Sequence, residues 1–357
     1  MRDLVSRRIG RYSRIMHRRR FLALPLLALV PAPALIRRAH AQSRPSAEPA
    51  LSQVLDGAET LAPLRCVIIA RDGQTLAERG YKGSSPVGAT NIKSASKSVI
   101  SALAGIAIEK GVIEGVDQKI APILARDLPS DPDPRLAEIT IGNLLSMQAG
   151  LERMSGANYG RWVSSRNWVR FALARPIVDE PGGAMLYSTA STHLVSAILT
   201  RRSGKSTLAL AREWLGPLPG FSIAAWARDP QGIYLGGNEM AMSPRSLLAF
   251  GELYRSGGRT PEGRQLVPAS WIARSWEART NSRFTGDAYG YGWFLRDIAG
   301  TPVRYAWGYG GQMLYVVPDK ATTIVMTSLD DHPAARTGHR DDLHALVERI
   351  IVALDAA

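Results

Sequence analysis

Between Ser94 and Lys110 the chain carries Val99, Ile100, Leu103, Ala104, Ile106, Ala107 and Ile108, and almost no polar face remains. A helix that is apolar all round must be enclosed on every side. The fold therefore has to place covering layers around this segment. With 357 residues and 45% apolar content, the chain has enough material for one large domain, or two subdomains sharing an interface, and disorder is not the default reading.

The flanking sequence indicates what those layers are. Two short apolar runs, Arg65 to Ala70 and Thr75 to Tyr81, surround Asp72-Gly73 and predict a β-hairpin. From about Val116 to Ser282 the spacing is helical or looped, with segments near 141–147, 162–174, 191–202, 244–255 and 269–278. Ser243-Pro244 reads as an N-cap followed by proline, and Gly204 as a helix stop. Strands return at 290–296, 303–307, 312–317 and 322–327, followed by a helix over about 341–354. Strands at both chain ends with helices between them predict an α+β fold: an antiparallel sheet built from N- and C-terminal segments and flanked by helices, with an inserted, mainly helical subdomain. The expected boundaries are 1–41 leader, 42–51 linker and 52–357 a single domain. Its α/β part spans about 52–115 and 285–357, and its helical part about 116–284. A cleft between the parts is the natural place for a site.

The formal charge of +13 suggests a nucleic-acid partner until the charges are placed. Ten arginines against Asp3 put +9 into residues 1–41, which leaves +4, an ordinary surface, for the rest. Residues 1–41 instead read as a signal peptide: a basic stretch through Arg20, an apolar segment Phe21 to Ile36, and Ala39-His40-Ala41 for cleavage. That apolar segment contains Pro25, Pro31 and Pro33 and is shorter than the ~20 residues a spanning helix needs, so no stable membrane anchor is expected. Arg18-Arg19-Arg20-Phe21-Leu22 resembles a twin-arginine signal, which implies a periplasmic protein. The lone Cys66 rules out an intrachain disulfide and a thiolate metal cage.

The chemistry begins at the foot of the apolar helix, with Ser94-Ala95-Ser96-Lys97. Residues three apart share a helix face, so the Lys97 amine can reach the Ser94 hydroxyl beside the positive end of the helix. Serine is a poor nucleophile unless a neighbour takes its proton, and a desolvated lysine can do so. Lysine is scarce here, 7 against 37 arginines, and arginine cannot release its proton at working pH. Tyr187-Ser188-Thr189, after Pro181-Gly182-Gly183, adds a phenol able to pass a proton to a leaving group. Ala306-Trp307-Gly308-Tyr309-Gly310-Gly311 provides a glycine-rich strand along which a substrate can lie, with an amide that can join that of Ser94 in holding an oxyanion. His193 follows Tyr187 closely, but packing within its helix is the simpler reading, because no Gly-x-Ser-x-Gly elbow accompanies it. His332 and His339 with Asp330, Asp331, Asp341 and Asp342 match no metal-ligand spacing, and a solvated turn before the last helix is the simpler reading.

Taken together, these motifs resemble the serine β-lactamase and penicillin-binding-protein superfamily over nearly all of residues 52–357. The closest likeness is to its class-C-type branch, with family VIII carboxylesterases, aminohexanoate-dimer hydrolases and D-aminopeptidase-like enzymes. The segments 139–151 and 236–245 carry the resemblance beyond the short motifs. It implies Ser94 as the acylated nucleophile, Lys97 as its base, Tyr187 as the tyrosine of a Tyr-x-Asn element, and the amides of Ser94 and Tyr309 as the oxyanion hole. Thr189, Asn238, Trp307 and Gly308 are the candidate substrate-binding residues. Two departures stand out: Thr189 replaces the usual asparagine, and Ala306-Trp307-Gly308 replaces a Lys-Thr-Gly or His-x-Gly triad. The lost cation would normally hold a β-lactam or stem-peptide carboxylate.

The expected function is therefore hydrolysis of an ester or amide in a small-molecule or short-peptide substrate, without a metal or cofactor and without nucleic acid. A D-amino-acid peptidase or β-lactamase is the enzymatic alternative, and an acylated sensor without turnover is the non-enzymatic one. Export itself is open to a direct check. The mature protein from a periplasmic fraction is expected to begin at Gln42, and intact-mass measurement of a full-length chain there would overturn the leader assignment.

Overall fold

The computed structural model describes residues 48–356. The leader, its cleavage site and residues 42–47 lie outside them. The segment expected to be linker up to residue 51 already contains the start of a helix, Glu48–Ala58, in which Leu51 and Leu55 are buried.

The strands are β1 (Leu64–Arg71), β2 (Gln74–Gly80), β3 (Thr90–Asn91), β4 (Ala225–Trp226), β5 (Met240–Met242), β6 (Thr280–Asn281), β7 (Ala288–Tyr289), β8 (Phe294–Ile298), β9 (Thr301–Gly308), β10 (Gln312–Val317) and β11 (Thr322–Ser328). Eight of them form one antiparallel sheet in the order β2-β1-β11-β10-β9-β8-β7-β6, and β3-β5-β4 form a small second sheet. The hairpin turn falls at Asp72-Gly73, both at positive φ as a tight two-residue turn requires. Hydrophobic alternation on β1 is blurred because helices cover both faces of the sheet. Val67 and Ile69 pack with the helices Glu48–Ala58 and His339–Asp355, while Cys66 and Ile68 pack with the central helix Ser96–Glu109.

That central helix is enclosed, as its composition requires: every residue from Ser96 to Ala107 is buried. It starts later than expected. Lys93–Ala95 form a 3₁₀ turn, and the α-helix begins only at Ser96. The expected helix over 162–174 is two helices, Tyr159–Val163 and Trp168–Leu173, because Asn167 caps a new start by accepting from the Arg170 amide. A helix at Thr207–Trp214, capped by Ser206, was not anticipated from the sequence.

The small sheet positions the site. β3 leads directly into the 3₁₀ turn, and the Ile92 amide donates to the Met240 carbonyl of β5 at 2.9 Å. The turn carrying Ser94 and the loop preceding β5 are thereby tied together.

Gly105 shows how tightly the helix is held. A Cβ there would lie 2.2 Å from the Trp271 ring, on the helix Ala269–Ser275. Gly105→Ala is expected to cost about 1–3 kcal/mol of stability through overpacking, measurable by urea unfolding. An unchanged midpoint would show that the two helices separate freely.

Candidate active site

Ser94 sits part-exposed in the 3₁₀ turn, and Lys97 lies in the first turn of the helix behind it, 1% exposed. Their side chains meet: Lys97 Nζ donates to Ser94 Oγ at 2.9 Å. Two further acceptors complete the amine's surroundings, the Gly237 carbonyl at 2.7 Å and Thr189 Oγ1 at 3.2 Å. Among the described residues, no carboxylate lies within ion-pair distance of Lys97. Burial without a counter-charge penalises the ammonium and lowers the lysine from 10.5 to about 7.

Tyr187 faces the same amine, its ring centroid 5.0 Å from Nζ. It is held by a stacked Phe294 and an edge-on Tyr289. Burial pushes its hydroxyl up to about 12, and hydrogen bonding toward Ser94 only partly opposes this. At neutral pH the phenol therefore keeps its proton, while the amine can lose one.

Thr189, which stands where the resemblance leads one to expect asparagine, keeps the contact with Lys97 and passes it on to Ser155. Ser155 Oγ lies 3.1 Å from Thr189 Oγ1 and accepts from the Thr189 amide at 2.9 Å. Ser155 and the Gly237 carbonyl are the members that sequence reasoning missed. A lone serine in a loop carries no signal, and a backbone carbonyl carries none at all. The glycine at 237 was a usable hint. It has φ of +93°, and a Cβ would lie 2.6 Å from Lys97 Cγ.

Gly308 closes the opposite side. A Cβ on it would lie 2.2 Å from the Ile92 carbonyl and 3.0 Å from Lys93 Cβ, so the end of β9 rests directly on the Ser94 turn. Tyr309 follows in the β9–β10 turn, not on the strand as expected, because Gly310 and Gly311 take positive φ and reverse the chain. Lys93, with φ of +51°, directs its amine to Asp330 at 2.9 Å and Glu239 at 3.5 Å.

Two of the expected substrate-binding side chains are engaged by other residues of the protein. Asn238 donates to the Tyr159 hydroxyl at 2.9 Å, and Trp307 alternates onto the sheet face covered by the C-terminal helix, with Arg340 over its ring. Phe294, 5.9 Å from the Trp307 ring centroid, is the group that links it to Tyr187. His193 is buried between Trp162 and Trp168, and its ring nitrogens bond Asp229 and the Gly236 amide and not Ser94.

The chain that builds this serine and buried amine, at the foot of a central helix and beside an antiparallel sheet, matches the family described as Beta-lactamase over residues 51–349. The chain belongs to that beta-lactamase family. Solved structures agree on the fold. EstCE1, a hydrolase with promiscuous acyltransferase activity, superposes with a TM-score of 0.69 at 19% identity, covering 87% of this chain and 98% of that one. An octameric penicillin-binding protein homologue from Pyrococcus abyssi gives 0.66 at 16%, covering 84% and 77%. A candidate 6-aminohexanoate-dimer hydrolase from Bacillus anthracis gives 0.65 at 18%, covering 84% and 82%. At these identities the likeness shows the fold alone, and it agrees with the α+β architecture expected from the sequence, while the family match agrees with the expected superfamily.

For this beta-lactamase-family protein, the uncompensated amine is a stability liability that can be measured. Lys97 binds a proton more weakly when folded, near pH 7, than when unfolded, near 10.5. Unfolding therefore takes up a proton between those values, and the stability this group contributes above 10.5 is lost as pH falls toward 7. Relative to Lys97→Met, the wild-type protein is expected to lose up to about 1.4 kcal/mol per pH unit across that window. Parallel stability curves of the two proteins from pH 10 to 7 would disprove the depressed amine.

Proposed function

We propose that the protein is a serine hydrolase that cleaves an ester or amide through an acyl-enzyme on Ser94. The observation carrying this reading is the hydrogen bond from an uncompensated, buried Lys97 to the Ser94 hydroxyl. In the proposed sequence, Ser94 Oγ attacks the substrate carbonyl carbon and its proton passes to the neutral Lys97 amine. The carbonyl oxygen becomes an oxyanion held by the amides of Ser94 and Tyr309. The carbon–heteroatom bond then breaks, and the Tyr187 hydroxyl hands a proton to the leaving alcohol or amine while recovering one from Lys97. Water, losing its proton to the same pair, attacks the acyl carbon and releases the acid and free Ser94.

The order of proton affinities supports giving Lys97 the base role and Tyr187 the relay role, since one is near 7 and the other near 12. Substrate choice follows from charge. Ala306 offers no cation, and Lys93, immediately before the nucleophile, is already engaged by Asp330 and Glu239. An acyl compound lacking the carboxylate of a β-lactam suits this site better than an antibiotic does. That EstCE1 is a hydrolase with promiscuous acyltransferase activity is in line with that preference.

Ser94→Ala is expected to abolish turnover and fluorophosphonate labelling with the fold intact. Lys97→Arg, which keeps the charge but cannot shed its proton, is expected to lose at least about a hundredfold in kcat/KM. In the wild type, kcat/KM should fall about tenfold per pH unit below 7, as the amine becomes protonated. Full activity of either variant would refute the assignment. Short-chain p-nitrophenyl esters should be turned over faster than nitrocefin, and the reverse preference would overturn the substrate reading.

A further inference from the structure

The residue just before the carbonyl that accepts from Lys97 is held by a second set of buried polar groups. His193 and Asp229 are both buried, and His193 Nε2 lies 3.2 Å from Asp229 Oδ2. The other ring nitrogen, Nδ1, accepts from the Gly236 amide at 3.4 Å. Since that amide can only donate, Nδ1 is unprotonated and the ring proton sits on Nε2, facing the carboxylate. Asp229 is fixed in turn by the Gln231 and Ile233 amides, which donate to Oδ1 at 2.8 Å each. Thr192, the residue before His193, donates to the Gly236 carbonyl at 2.9 Å. Gly236 is thus gripped through both its N–H and its C=O, and the next carbonyl along the chain is the Gly237 acceptor of Lys97.

Packing alone does not call for this chemistry. His193 lies 5.6 Å from both the Trp162 and Trp168 ring centroids, a space that a plain aromatic ring would also fill. What the imidazole adds is an acceptor for one glycine amide, oriented by one carboxylate.

We propose that His193 and Asp229 are positioning residues that hold the Gly237 carbonyl against the Lys97 amine. The inference rests on the reading of Lys97 as the base for Ser94. A carbonyl acceptor favours the ammonium over the free amine, so the pair restrains Lys97 from becoming too weak a base. Among the described residues, Lys97 faces Ser94, Thr189, the Gly237 carbonyl and the Tyr187 ring, and His193 faces Asp229, the Gly236 amide and the two indoles. No other charged group among the described residues makes a hydrogen bond or ion pair with either side chain.

The isosteric variant Asp229→Asn tests the proposal. Its amide NH₂ would oppose the Nε2 proton and drive it to Nδ1, where it would then confront the Gly236 N–H. The readout is the pH dependence of the rate at which a fluorophosphonate modifies Ser94 in the mature chain, with thermal unfolding followed alongside. The wild-type midpoint is expected near 7, and in Asp229→Asn it should fall by roughly one pH unit as the carbonyl leaves the amine. An unmoved midpoint with only a lower melting temperature would overturn the inference and leave the hydrolase reading in place. Failure of the wild type to label at Ser94 would overturn that reading, and the inference with it. Should the variant not fold, the tautomer in the wild-type protein decides: ¹⁵N NMR showing a bare Nδ1 and protonated Nε2 on His193 supports the proposal, and a protonated Nδ1 overturns it.

Discussion

The site is organised around an amine that has been taken out of water and given hydrogen-bond acceptors but no anion. Removing an ammonium from solvent is costly, and a carboxylate partner would offset that cost by fixing the positive charge in place. Here the acceptors are a serine hydroxyl, a threonine hydroxyl and one peptide carbonyl, all neutral. They satisfy the geometry of the amine without locking in its charge. The surrounding apolar helix, which reads at first as pure core, is the medium that makes this possible.

Holding three neutral acceptors around one nitrogen demands convergence of distant parts of the chain. Ser94 comes from a 3₁₀ turn, Thr189 from the start of the helix Thr189–Ser203, and the carbonyl from the loop before β5. The small β3-β5-β4 sheet binds two of these together. Close glycine contacts at 237 and 308 let the backbone come nearer to Lys97 and to the Ser94 turn than any side chain would allow. The positive φ at Lys93, just before Ser94, is the one non-glycine residue in that turn to take such a conformation, and its ion pairs to Asp330 and Glu239 hold it there.

Much of this arrangement was legible in residue order. The Ser94–Lys97 spacing survives the change from α to 3₁₀ at Ala95, because three residues advance close to one turn in either helix. The β1–β2 hairpin and the C-terminal strands follow from alternation and from Asp72-Gly73, and β10 and the helix Pro244–Arg255 match their expected limits. What stayed hidden belongs to partners that only tertiary structure creates. Ser155 resembles any loop serine, and Asp229 lies in an unremarked Arg-Asp-Pro stretch. Trp307 was assigned by motif position, and strand alternation then turned it toward the C-terminal helix. From the sequence, His193 reads as packing or capping within its helix; its ring instead packs against Trp162 and Trp168 of other helices, and its bond to the Gly236 amide depends on a loop more than forty residues downstream.

The sheet order has a consequence for biosynthesis. β1 lies between β2 and β11, so its second edge is completed by residues at the far end of the polypeptide. A nascent chain can form the first hairpin early, but its apolar strand stays uncovered until Thr322–Ser328 and the helix beyond it have left the ribosome. Contacts of such long sequence separation slow folding and prolong the exposure of an adhesive edge. For this protein, the middle of the main sheet is closed only when a segment about 250 residues downstream of β1 pairs with it.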